Sequence, residues 1–322
     1  MLRFCLFMEQ RLEYRIFTYS AYLQQKFGRK VFRVGLSTGV PCPHREKTGG
    51  CIFCNAETFT GEYQAQGKTV SEQLNEAIPR IKKSCGNVSI LAYFQDETST
   101  AGSIEFLKRK FAEALSHPEI IGLIVSTRPD YVNEDVVNLL NSFRVPVTIE
   151  IGLQSIHNKS LRFLKRGHSF EDVDAAISLC GAAGLEVGVH LIMGIPGETE
   201  AEMRQTIEYI SANNFINQVK FHNLVVYKNT KLAESAEAGQ IELLSIPAYI
   251  KMLAELLPYL RGNISVSRLF TSNIRHSQIA IGDYSGNKTK WMNELRKYIY
   301  SHGITQGSKT GIEYDYRKHY SV

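Results

Sequence analysis

What most constrains this chain is a recurring order in which a short apolar run is followed by an amphipathic stretch. Six runs read as strands: VFRVGLS, NVSILAYFQD, IIGLIVSTRPD, VTIEIGLQS, LEVGVHLIMGIPGET and QVKFHNLVVYK. Helical patterns lie between them, such as VSEQLNEAIPRIKKSCG, which carries Val70, Leu74, Ile78 and Ile81 on one face. Strands apolar on both faces and separated by helices pair in parallel, through right-handed crossovers. Six such units, where a closed barrel has eight, predict an α/β fold: a partial (β/α)6 TIM-like barrel.

A length of 322 residues with 43% hydrophobic content suffices for one large core, and no Pro-, Ser- or charge-rich linker divides it. The expected organisation is a helical extension over 1–28, a core over 29–233 and a further extension over 234–322 packed on the core's open side or base. Leu12, Ile16, Tyr19 and Leu23 predict an opening helix capped by Gly28 that covers one mouth or flank of the fold. The last residues, EYDYRKHYSV, are expected to be poorly ordered. No stretch approaches the roughly 20 apolar residues that cross a bilayer, and no signal peptide is evident at the start. A cytoplasmic protein with no membrane partner is therefore expected. The net charge of +5 permits contact with a polyanion.

The segment TGVPCPHREKTGGCIFCN gathers Cys42, Cys51 and Cys54, with eight residues in the first gap and two in the second. Pro41, Pro43, Gly49 and Gly50 predict a loop rather than a regular helix. Thiolates at this spacing hold a metal. A structural zinc site wants four closed ligands, which only a water or His44 could complete here. Three thiolates suggest instead a 4Fe-4S cluster with one iron open to chemistry. Cys5, Cys85 and Cys180 are scattered and read as incidental thiols. Loops after the carboxyl ends of parallel strands carry the working residues of such folds, which puts the cysteines and every other unusual polar cluster on one rim.

A strand running into a Gly-, Pro- and Cys-rich loop that ends Cys51-Ile52-Phe53-Cys54 resembles the cluster loop of the radical S-adenosylmethionine (SAM) enzymes. The long first gap departs from the commonest spacing of that superfamily, which has three residues there. It is shared by the YhcC-like branch related to the elongator catalytic subunit, in which the text around the cysteines looks much like CPHREKTGGCIFCN. The resemblance implies a barrel of radical SAM type, a 4Fe-4S cluster on Cys42, Cys51 and Cys54, and SAM on the open iron.

The same resemblance assigns the rim. Gln95 and Thr98 stand where the superfamily holds the SAM amino group, although its glycine-rich motif is missing, and a solvated turn is the plain alternative. Ser126, in STRPD, stands where relatives contact ribose, while Arg128 and Asp130 read as a local ion pair. Glu150, Gln154 and Arg166 fit ribose and carboxylate recognition, as in the oxygen-independent coproporphyrinogen oxidase, where a G-x-Q strand is followed at similar distance by Arg. A surface arginine is the alternative for Arg166. His190 and Ile192 match positions used for ribose and adenine, though a strand histidine is otherwise a core residue. Tyr227, Lys228 and Thr230 are further candidates for adenine or substrate.

The implied chemistry is reductive cleavage of SAM to a 5′-deoxyadenosyl radical that takes a hydrogen atom from substrate, with flavodoxin or ferredoxin as electron donor. Relatives of known role modify wobble uridines of tRNA, so a tRNA substrate is the leading expectation. Lys288, Lys290, Arg296 and Lys297 on a C-terminal helix are compatible with RNA backbone contact. A small metabolite or tetrapyrrole substrate, or a non-catalytic Fe-S RNA-binding regulator, are the competing readings.

Overall fold

The structure, a computed structural model, describes residues 10–58, 60–64, 67–95, 97–271, 276–282 and 287–318; Cys5 and residues 319–322 lie outside them. Seven strands form one parallel sheet in the order β1 (Val31–Leu36), β2 (Ser89–Phe94), β3 (Ile120–Thr127), β4 (Val147–Gln154), β5 (Glu186–Met193), β6 (Ile216–Asn223) and β8 (Ser265–Arg268). The two-residue β7 (Val226–Tyr227) pairs antiparallel with β9 (Ile279–Ile281) outside that sheet. Helices separate β1 to β6 in sequence and bury their apolar faces on the sheet. The helix Val70–Cys85, for example, covers it with Val70, Leu74 and Ile78 and is opened by a capping box between Thr69 and Glu72. The six expected strands are all present. The seventh comes from ISVSRLF, which does not merely pack on the barrel but adds to the free edge of β6, with Val219 opposite Val266 and Lys220 opposite Arg268.

The opening helix is shorter than its apolar spacing suggests. It runs over Tyr19–Phe27, because Thr18 caps it by accepting from the Ala21 amide, and it ends at Gly28 with φ +66°. Leu12 lies in a separate 3-10 turn. The helix packs beside β1 and β8, and Tyr19 and Leu23 cluster with Leu91, Tyr93 and Ile124. Tyr22 and Lys26 hold Glu186, the first residue of β5, with both contacts at 2.5 Å. The helix therefore plugs the amino-terminal mouth of the half-barrel.

The described part of the C-terminal tail is ordered, contrary to expectation. Tyr314 is buried, stacks on Phe17 with centroids 5.6 Å apart, and donates to the Glu13 carbonyl at 2.8 Å. The cysteine segment also holds a surprise. Pro43 sits in the first turn of a short helix, Pro43–Thr48, where its missing N–H costs nothing, and Gly49 ends that helix at φ +81°.

Candidate active site

The loop after β1 lies across the carboxyl ends of the strands. The Ile52 amide donates to the Leu164 carbonyl (3.1 Å), the Leu232 amide donates to the Ile52 carbonyl (3.0 Å), and Asn55 Nδ2 donates to the Lys228 carbonyl (3.0 Å). Ile52 is buried with Leu164, Ile192, Leu224 and Leu232 in a second small core, so the loop is anchored by packing as well. Beneath it is a cavity of about 420 Å³ walled by Cys42, Cys51 and Cys54 together with groups from the ends of β2, β4, β5, β6 and β8.

Each thiol is set in a polar frame. Thr98 Oγ1 donates to Cys42 Sγ at 3.3 Å, and Glu97 accepts from the Cys42 amide and from Arg45. Arg166 Nη1 donates to Cys51 Sγ at 3.3 Å. Burial pushes the Cys51 thiol up, but Arg166, a hydrogen bond with His44, and Arg128 outweigh it and hold the thiol at about 7. Burial, reinforced by Cys51, takes Cys54 up to about 12.

Arg166 is itself oriented on every side. Its Nε donates to His168 Nε2 (3.1 Å) and its Nη2 to the Gly152 carbonyl (3.3 Å), while Arg128 donates to the Arg166 carbonyl (2.8 Å). His168 accepts because burial first, and then Arg166, draw its pKa down to about 3 and keep the ring neutral. A side chain at Gly152 would put its Cβ 2.8 Å from both Arg166 Nη2 and Gln154 Nε2, so the glycine lets these two approach the strand. Gln154 takes φ +66° where the pairing of β4 with β5 slips, and it lines the cavity.

Below the cavity the barrel interior holds a buried ionic network. Glu150 is wholly buried; its Oε2 accepts from Tyr93 (2.6 Å), Ser126 (2.9 Å), His190 (2.8 Å) and Lys220 (2.6 Å), and its Oε1 accepts from Gln218 (2.6 Å). Burial alone would raise this carboxyl, yet Lys220 and His190 hold it well below the usual carboxylate range. Burial draws His190 down to about 4, with Lys220 adding to the effect and Glu150 opposing it.

Of the residues singled out from sequence, Cys42, Cys51, Cys54, Gln95, Thr98, Gln154, Arg166, His190 and Ile192 line the one cavity. Ser126 and Glu150 do not line it. Both point into the network below, so Ser126 is not the rim residue its place in STRPD suggested. Thr98, Ser99 and Thr100 are buried rather than part of a solvated turn, and the helix that follows is capped by Ser103 instead. Arg128 pairs with Asp130 as expected (3.1 Å). Tyr227 also lines the cavity, whereas Lys228 and Thr230 do not. Sequence reasoning passed over Tyr93, His168, Lys220, His222, Asn223 and Arg268. Gln218, Lys220 and His222 alternate along β6, and that two-residue period of polar groups in an apolar strand was the available signal.

This half-barrel with a three-cysteine loop over its carboxyl rim defines a class, and sequence comparison agrees. Residues 37–210 match the Radical SAM superfamily and residues 216–301 the radical SAM C-terminal domain. The chain belongs to the radical SAM superfamily and is an enzyme of that class, whose members use a 4Fe-4S cluster and SAM. It is 34% identical over 295 residues to the protein YhcC of Escherichia coli (strain K12), covering 90% of this chain and 93% of that one. It is also 31% identical over 199 residues to the tRNA uridine(34) acetyltransferase of Methanocaldococcus jannaschii, covering 61% of this chain but only 36% of that enzyme. The archaeal Elp3 structure from Methanocaldococcus infernus shares the fold at a TM-score of 0.66 and 22% identity, over 86% of this chain and 64% of that one. Among the described residues no helix is long and apolar enough to cross a membrane.

Proposed function

We propose that Cys42, Cys51 and Cys54 hold a 4Fe-4S cluster, that SAM occupies the adjoining cavity, and that the enzyme modifies the side chain of a wobble uridine in tRNA. The observation that carries the cofactor reading is the meeting of three thiols with Gln95, Thr98, Gln154, Arg166, His190 and Ile192 around one cavity. The donor set fits the cluster. Three thiols line the one cavity, which is one thiolate for each of three irons and leaves the fourth iron without a protein ligand.

When bound and reduced, the cluster and SAM supply a 5′-deoxyadenosyl radical. The protein's own residues do the rest. Arg166, fixed by His168 and the Gly152 carbonyl, presents its charge to the SAM carboxylate. Gln154 and His190 offer hydrogen-bonding groups to ribose, and Ile192 gives adenine an apolar wall. Glu150 and Ser126 act beneath them, Glu150 by holding His190 in place. The loop over the rim, pinned at Ile52 and Asn55, keeps water from the cavity.

The tRNA reading is supported by the similarity to the uridine(34) acetyltransferase and by the basic C-terminal helix Lys288–Ser301. That helix buries Trp291, Leu295 and Ile299 and leaves Lys288, Lys290 and Lys297 exposed. A flavodoxin or ferredoxin would deliver the electron. The test has two stages. Anaerobically reconstituted protein, given dithionite and SAM, should release 5′-deoxyadenosine, and each Cys→Ala variant should lose both the cluster's colour and that release. Modified nucleosides of tRNA should then differ between wild-type and deletion cells; identical profiles would remove tRNA as the substrate.

A further inference from the structure

One wall of the cavity, formed by β6, β8 and residues that follow them, carries polar groups that have no partner among the described residues. Arg268 lies opposite Lys220 in the pairing of β8 with β6, lines the cavity, and makes no hydrogen bond or ion pair among the described residues. Asn223 lines the same cavity and is 3% exposed, and among the described residues its Nδ2 is buried without a partner, as is Nε2 of His222. Asn223 cannot turn away, because its Oδ1 accepts from the Thr271 amide (2.9 Å) and its carbonyl from Thr271 Oγ1 (2.8 Å). A buried amide N–H left unmet is costly, so a fold that holds one rigidly on a cavity-lining residue has positioned it for a ligand.

Charge points the same way. Arg33, Lys220 and Arg268 repel one another across the interior, and the carboxylate they share is Glu150, whose five hydrogen bonds are already committed. The surplus positive charge faces the cavity at Arg268. A guanidinium there offers a planar fork of donors, the geometry that matches a carboxylate or a phosphate.

We propose that Arg268, with Asn223 lining the same cavity, is the anchor for an oxyanion of the substrate, a carboxylate or a phosphate, that sets which C–H is presented for attack. The inference rests on the proposed function in taking this cavity as the substrate site. It adds an anionic substrate to that reading.

The experiment is equilibrium dialysis of radiolabelled inorganic phosphate and acetate against the cluster-reconstituted full chain, with and without SAM. Saturable binding that persists with SAM bound is expected, and Arg268→Gln should weaken it at least tenfold while Arg268→Lys retains part of it. Phosphate bound in preference to acetate identifies a phosphate-bearing substrate, and the reverse identifies a carboxylate. Absence of saturable binding to the unaltered protein up to roughly 50 mM, equal binding by Arg268→Gln, or displacement of the anion by SAM would overturn the proposal. Oxyanion binding without SAM-dependent 5′-deoxyadenosine release would count against the proposed function and leave this subsite standing. Release without oxyanion binding would do the opposite.

Discussion

Lys220 Nζ meets Glu150 Oε2 at 2.6 Å in the middle of the half-barrel, and both side chains are removed from solvent almost entirely. The pair joins β4 to β6 across the intervening β5, and Tyr93 from β2 closes it from the other side with its hydroxyl 2.6 Å from each partner. An ion pair here does not add stability relative to an apolar filling, because both ions give up water to form it. It does make the interior intolerant of losing one partner.

Lys220→Met should therefore destabilise the protein by about 3–5 kcal/mol, the usual cost of stranding a buried charge. The double variant Lys220→Met/Glu150→Gln should recover a large part of that loss. Urea unfolding of the three proteins measures both effects, and a double variant no more stable than the single would show that the cost does not come from a stranded carboxylate.

Acid should weaken the fold before the carboxylates titrate. Stability rises with pH wherever the unfolded chain binds more protons than the folded one. Between about 4 and 6.5 an unfolded histidine is protonated while His190 stays neutral, so its contribution is complete above 6.5 and lost as pH falls toward 4. His168, held at about 3, and His222, also drawn down by burial, act in the same direction. Each adds a slope of up to about 1.4 kcal/mol per pH unit in that window. His190→Gln should give a visibly shallower pH dependence in denaturant titrations; a slope unchanged from the parent would contradict a neutral buried ring.

In cluster-free protein the proximity of Arg166 to Cys51 has a direct readout. Arg166→Gln should move the Cys51 thiol from about 7 toward its ordinary value of 9, because the largest opposing influence, burial, stays in place. The pH dependence of Cys51 alkylation, followed by peptide mass spectrometry, reports this. A midpoint that does not rise would mean the guanidinium is not at the sulfur.

Gly152→Ala tests the cradle without changing any charge. Its new Cβ would force Arg166 and Gln154 off the strand, and SAM should bind roughly tenfold more weakly, a loss of about 1.4 kcal/mol. With Cys42, Cys51 and Cys54 as the proposed ligands, the cluster's absorbance should persist, since the new Cβ meets none of them. Unaltered SAM affinity would place the cofactor elsewhere in the cavity.

Much of this architecture is legible in the sequence. Apolar runs separated by helical stretches are local patterns, and they determined parallel βα units with a three-thiol loop on the carboxyl rim. Gly28 as a helix stop follows from the same kind of short-range reading, whereas Gln154 and Arg166 are paired through the family resemblance, and both line the one cavity. The opening helix is shorter than its apolar spacing, which reaches back past Thr18, because the Thr18 side chain caps the first turn and sets the boundary.

Only the tertiary structure decided what lies inside. ISVSRLF could have been any apolar run, and it became a seventh strand because β6 had an unpaired edge to fill. Glu150 turned out to face a lysine 70 residues further along, and Ser126 to face Glu150, rather than the rim. Arg268 faces the cavity only because β8 pairs beside Lys220. Spacing along a chain reports which side of its own element a residue occupies, whereas the partner of a buried charge is chosen by strands distant in sequence, and that choice exists only once the sheet has curled.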